Sequence, residues 1–129
     1  DLLNQVGLSP AEDYQFRFPK ELSGGQQQRV AIARALAMNP KIIICDESVS
    51  MLDAEIQTEV LSLLRELQQE LGLAILFVTH ELPIATGFCH TIIVLDHGQI
   101  VEAGSSYRLL NQPQSSITKK LIEACPRLP

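Results

Sequence analysis

With 129 residues, 46% of them hydrophobic and 19% charged, the chain can bury one modest core and is too apolar for a disordered tail. Its net charge of -5 argues against a nucleic-acid surface built on bulk positive charge, and its longest apolar runs, residues 73–78 and 92–95, fall far short of the roughly 20 residues that span a bilayer. The first residues show no n-region or cleavage pattern of a secreted protein, and Cys45, Cys89 and Cys125, with no C-x-x-C, fit reduced cytosolic thiols better than zinc ligands or disulfides.

In chain order, residues 1–8 read as the end of a short helix (Leu2, Leu3, Val6) stopped by Gly7. Ser9-Pro10-Ala11-Glu12 reads as a fresh N-cap with proline at the first helical position. Residues 16–19 form a loop leading to Glu21, and then comes LSGGQQQRVAIAR, residues 22–34. Ser23 and Gln26 have the S-x-x-Q form of a capping box. Two glycines inside a helix start each cost roughly 1 kcal/mol relative to alanine, but they clear side chains from the helix mouth. Bare N–H groups at the positive end of a helix dipole suit a phosphate; the plainer alternative is a capped surface helix. The helix continues with Val30, Ala31, Ile32, Ala33, Ala35, Leu36 and Ala37, small and apolar enough to pack on more than one side, and Asn39-Pro40 ends it.

Residues 41–45 (K-I-I-I-C) carry a continuous β-branched run rather than an alternating one, a pattern that predicts a strand buried on both faces of a parallel sheet. The run ends at Asp46-Glu47, two carboxylates where α/β folds place ligands. Asp53 caps the next helix, about residues 54–71, whose stripe of Ile56, Val60, Leu63, Leu64, Leu67 and Leu71 is core. Gly72 closes it. Residues 73–79 predict a second buried strand ending at Thr79-His80-Glu81, and residues 81–88 a helix that tolerates Pro83 in its first turn. Residues 91–96 and 99–103 predict an antiparallel hairpin about His97-Gly98, followed by short helices over 105–110 and 116–124. Strands alternating with helices define an α/β domain.

Four of these features arrive in a set order: LSGGQ at 22–26, a strand ending in Asp46-Glu47, S-x-L-D at 50–53, and a strand ending in Thr79-His80. That order resembles the second half of an ABC ATPase, with its signature, Walker B, D-loop and switch histidine. The resemblance covers nearly the whole chain. It implies a fold that is the C-terminal part of a P-loop NTPase domain lacking the Walker A half, with residues 1–39 ending the helical signature subdomain and 40–129 completing the catalytic core. It also implies a metal role for Asp46, which would hold Mg²⁺ through water, and catalytic roles for Glu47 and His80. Glu47 would orient and deprotonate the attacking water; His80 would hydrogen-bond the γ-phosphate and sense its loss. Ser23 with the amides of Gly24 and Gly25, completed by Gln26, would bind the γ-phosphate of an ATP held by the opposite subunit, and Asp53 would reach across that dimer interface.

The G-x-x-x-x-G-K-[ST] loop that cradles phosphates in this family does not occur: none of the seven glycines precedes a lysine. The chain is therefore expected to be inactive alone. Ser48 and Met51 stand where the family usually has proline and alanine, and neither change removes a functional group. D-E-x-V-S-x-L-D-x-x-I-Q and the tail pattern P-x-x-x-x-T-K-K-L-I-E-A-x-P are similar to the ATPases of oligopeptide, dipeptide and nickel importers. The implied partners are a second ATPase subunit, homo- or heterodimeric, and transmembrane permease subunits, with no nucleic acid and a peripheral place on the cytoplasmic membrane face. A translation ABC ATPase would show N-H-L-D where this chain has S-M-L-D, and a repair ATPase would carry LSGGE beside long coiled coils. A non-catalytic partner lending only its LSGGQ face is the remaining alternative.

Overall fold

The structure, a computed structural model, describes residues 1–125. The proline-rich end of the tail pattern, residues 126–129, lies outside the described residues. The chain divides into two compact units, residues 1–78 and 79–129.

The first unit begins with α1 (Leu2–Gln5), capped by the Asp1 carboxylate, which accepts from the Leu3 amide. It ends ahead of Gly7, at φ 76. Ser9 is not the cap expected of it. Pro10 takes the N-cap position in extended conformation, no side chain caps the turn, and only one 3-10 turn follows, Ala11–Asp13. A second 3-10 turn, Pro19–Glu21, leads into α2 (Gly24–Leu36). Strand β1 (Ile42–Asp46), helix α3 (Ala54–Leu71) and strand β2 (Ala74–Val78) complete the unit. Gly72 closes α3 at φ 63 and ψ 34, the left-handed cap its position called for.

Strands β1 and β2 pair in parallel, Ile42 with Ala74 through Asp46 with Val78. Their core side holds Ile43 and Cys45, in a unit whose buried residues include Val60, Leu64 and Leu67 of α3 and Ile32 and Leu36 of α2. The expectation of strands buried on both faces is not met among the described residues. Ile42 and Ile44 are 62% and 67% exposed, and Leu76 and Val78 are 53% and 44% exposed. Side chains alternate across a strand, so a two-stranded sheet with helices on one side leaves every second residue uncovered. The sequence is apolar on both faces; the described residues cover one.

The second unit contains α4 (Leu82–Phe88), the hairpin of β3 (Thr91–Asp96) and β4 (Gln99–Ser105), α5 (Ser106–Asn111) and α6 (Ser116–Ala124). His97 and Gly98, at φ 45 and 76, supply the two positive φ values of a tight hairpin turn. Ala85, Ile92, Val94 and Leu109 form its core, with Cys89 and Ile117 packed against them. Glu102 of β4 is a buried carboxylate with a purpose: it accepts from the Gln114 and Ser115 amides and from Arg108 Nη2, each at 3.0 Å. The Thr118 hydroxyl, those two amides and Arg108 hold its pKa down to about 2 against the opposing effect of burial. One ionised side chain thus ties the start of α6 to the hairpin.

Candidate functional site

The start of α2 has the capping box its sequence implies. Ser23 Oγ accepts from the Gln26 amide at 3.3 Å, and Gln26 Oε1 accepts from the Ser23 amide at 3.0 Å. The amides of Gly24 and Gly25, in the first turn, have no acceptor within the helix by their position and stand at the positive end of a 13-residue dipole. Beside this end lies a groove of about 250 Å³ bordered by Tyr14, Ser23, Gln26, Arg29, Ile56 and Glu59.

The glycines also serve packing. A Cβ on Gly25 would lie 2.5 Å from Ile56 Cγ2 of α3, and one on Gly24 would lie 3.2 Å from Leu52 Cδ2. The second glycine therefore lets α3 approach α2 where both helices begin. Asp53 caps α3, its Oδ1 accepting from the Ile56 amide at 3.1 Å. The LSGGQ turn and the S-M-L-D loop are brought into contact through Leu52 and Ile56.

Asp46 closes β1 and is exposed, as is Glu47 after it. Glu47 has φ 46, a left-handed backbone that a non-glycine residue adopts at a cost of about 1–2 kcal/mol. Both ends of the residue are pinned: its amide donates to Val78 O at 3.0 Å, and Ser50 Oγ and N donate to its carbonyl at 2.9 and 3.3 Å. Such over-determination maintains the strained backbone and fixes the direction in which the side chain leaves it. Cys45 and Ser48 flank this pair from the buried side, and burial pushes the Cys45 thiol pKa up, with the Ser48 hydroxyl acting the other way. In the second unit, Thr79 Oγ1 accepts from the Glu81 amide at 3.0 Å, a turn that leaves His80 exposed.

Two residues of the same helix make contacts the sequence reading did not single out. Gln27 Nε2 donates to Pro19 O at 2.9 Å and Leu22 O at 3.2 Å, fastening the motif's entry to the preceding 3-10 turn. Arg29 Nη1 donates to Val6 O and Nη2 to Glu59 Oε2, both at 3.0 Å. Their only sequence signal is helical spacing, Arg29 falling one turn after Gly25 on the same face.

What fold and motifs define is a mixed α/β domain with a parallel strand pair. A profile of the family described as ABC transporter matches residues 1–50. The chain is 47% identical over 125 residues to the glutathione import ATP-binding protein GsiA of Pectobacterium atrosepticum, an alignment covering 97% of this chain and 20% of that protein. GsiA of Escherichia coli strain K12 is 46% identical over the same shares. A crystal structure of an ATP-binding cassette of an ABC transporter in its ADP conformation superposes with a TM-score of 0.79 at 27% identity, covering 96% of this chain and 48% of that one. Over the described residues the chain matches part of an ABC transporter ATP-binding domain. The chain spans about a fifth of the length of these curated relatives.

Proposed function

We propose that the chain supplies the signature, Walker B and D-loop parts of an ATP-hydrolysing import subunit. The observation that supports this best is the contact of the capped, side-chain-free start of α2 with the Leu52–Ile56 segment, in a unit whose β1 ends in Asp46-Glu47. Asp46, a single exposed carboxylate at the end of β1, would hold Mg²⁺ through water. The metal, when bound, neutralises charge developing on the phosphates. Glu47, at the end of β1 on a pinned backbone, orients and deprotonates the attacking water. Ser23, Gly24 and Gly25, with Gln26 locking the turn, hold the γ-phosphate of an ATP carried by a second ATPase subunit, across which Asp53 reaches. His80, in the second unit, hydrogen-bonds a γ-phosphate and senses its loss.

Residues 1–39 then belong to the helical signature subdomain and 40–129 to the catalytic core. Transmembrane permease subunits are the membrane partners, and the subunit sits peripherally on the cytoplasmic face; among the described residues no helix is long and apolar enough to cross a membrane. The cargo class is peptides or nickel-like solutes, and the glutathione import relatives favour the peptide side, glutathione being a tripeptide. The isolated chain is expected not to turn over Mg-ATP, because no G-x-x-x-x-G-K-[ST] string occurs in it.

The test is a chimera: GsiA of P. atrosepticum with its matched segment replaced by this chain. The chimera should hydrolyse Mg-ATP, and Glu47→Gln should lower kcat by about 10²-fold or more while ATP binding persists. A Glu47→Gln chimera with the parent kcat would refute the reading.

A further inference from the structure

We propose that Arg29 is a positioning residue that sets the angle between the LSGGQ helix and α3, and so the aim of Ser23–Gly25. The inference rests on the function proposed above. Arg29 lies on α2, and its two terminal nitrogens reach two other elements: Val6 O at the C-cap of α1 and Glu59 Oε2 on α3, both at 3.0 Å. The Val6 carbonyl is one of those a helix end leaves without an internal partner, so the guanidinium satisfies it. Room for the guanidinium comes from Gly7, where a Cβ would stand 2.7 Å from Nη1. Only a planar fork can serve two acceptors in fixed directions; lysine is a single point charge on a flexible stem.

The geometry explains why this contact matters at the helix mouth. Gly25 against Ile56 is one point of contact between α2 and α3. Arg29 to Glu59 is a second, about one turn further along both helices. Further packing joins the two helices, and the Arg29 fork adds a directional polar contact next to the helix mouth that apolar packing does not supply. Glu59 is 53% exposed and Arg29 19%, so the pair contributes little to stability, and its effect is on geometry. A misplacement of the order of 1 Å at a reacting centre lowers rates by as much as about a hundredfold.

The experiment uses the same chimera with Arg29→Gln, Arg29→Lys, Gly7→Asn and, as control, Glu47→Gln. Arg29→Gln should lower kcat about tenfold with KM for ATP unchanged, the signature of an interaction realised only in the transition state. Arg29→Lys should recover part of the loss. Gly7→Asn keeps Arg29 and tolerates positive φ, but its Cβ evicts the guanidinium, so it should reproduce the Arg29→Gln kinetics. Parent kcat in Arg29→Gln, with turnover removed by Glu47→Gln, overturns the positioning role and leaves the site reading standing. A lowered melting temperature with parent kcat overturns it equally. Should Arg29→Gln fail to fold, parent kcat in both Arg29→Lys and Gly7→Asn overturns it. Turnover unaffected by Glu47→Gln is the distinct failure of the site reading itself, and with it of this inference.

Discussion

Gly25→Ala isolates the packing role of the second motif glycine from any ligand role. The added Cβ would lie 2.5 Å from Ile56 Cγ2, where carbon atoms in contact prefer roughly 3.5–4.0 Å. About 1 Å of movement is therefore needed, and it cannot come from a rotamer change, because a β-branched side chain in a helix has one strongly preferred χ1. Overpacking of this kind costs about 1–3 kcal/mol, while replacing glycine by alanine in a helix returns up to about 1 kcal/mol. The expected net loss is about 1–2 kcal/mol. Gly24→Ala meets only Leu52 Cδ2, at 3.2 Å and on the far end of a flexible side chain, so it should be neutral or slightly stabilising. Urea unfolding of the whole chain measures both. Ile56→Ala should make Gly25→Ala tolerable, giving a coupling energy of about 1 kcal/mol in the double-mutant cycle. Equal stability of Gly25→Ala and wild type, or no coupling to Ile56, would refute the close-approach argument.

Acid should release α6 from β4. Glu102 is held at about 2 in the folded chain against an ordinary 4.5, so its contribution is present above the higher value and is lost as pH falls from about 5 toward 2. Relative to intrinsic exchange at each pH, protection of the Gln114 and Ser115 amides should fall over that window, and Glu102→Gln should show the low protection already at neutral pH. Cys45 is buried and Cys89 partly so, and desolvation raises both thiol pKa values. Iodoacetamide at neutral pH should therefore modify Cys45 in the unfolded but not the folded chain, as peptide masses would report. Glu47→Gly removes the left-handed strain at φ 46, worth about 1–2 kcal/mol, and introduces glycine's entropic cost of about 0.5–1 kcal/mol. The chimera carrying Glu47→Gly should lose Mg-ATP turnover, as steady-state hydrolysis would report.

What was legible in the sequence was local. Ser23 with Gln26, Asp53 and Gly72 each act within four residues of themselves, and each cap formed where its spacing placed it. The hairpin was legible for the same reason, since His97-Gly98 sets the register across two residues. Ser9 was misread by the same kind of rule. A Ser-Pro pair signals a helix start only if a helix follows, and here Pro10 stays extended ahead of a single 3-10 turn. The apolar runs correctly marked strands, but burial on both faces requires neighbours that a run cannot itself supply.

The candidate site was half legible, and the missing half follows from distance in the chain. Asp46, Glu47 and the glycines announce themselves by residue type. That Gly25 makes room for Ile56, and Gly7 for the Arg29 guanidinium, depends on pairs 31 and 22 residues apart that share no local pattern. The consequence bears on how such motifs are read. Under a ligand-only reading, either glycine of S-G-G could be exchanged for alanine at equal cost, since both lie in the first turn of the same dipole. In the folded chain they are unequal: one faces a side chain that can yield, the other a β-branched residue that cannot. A motif shared by binding and packing therefore tolerates change only where both demands are slack, and Gly24 is the position where the packing demand is the weaker.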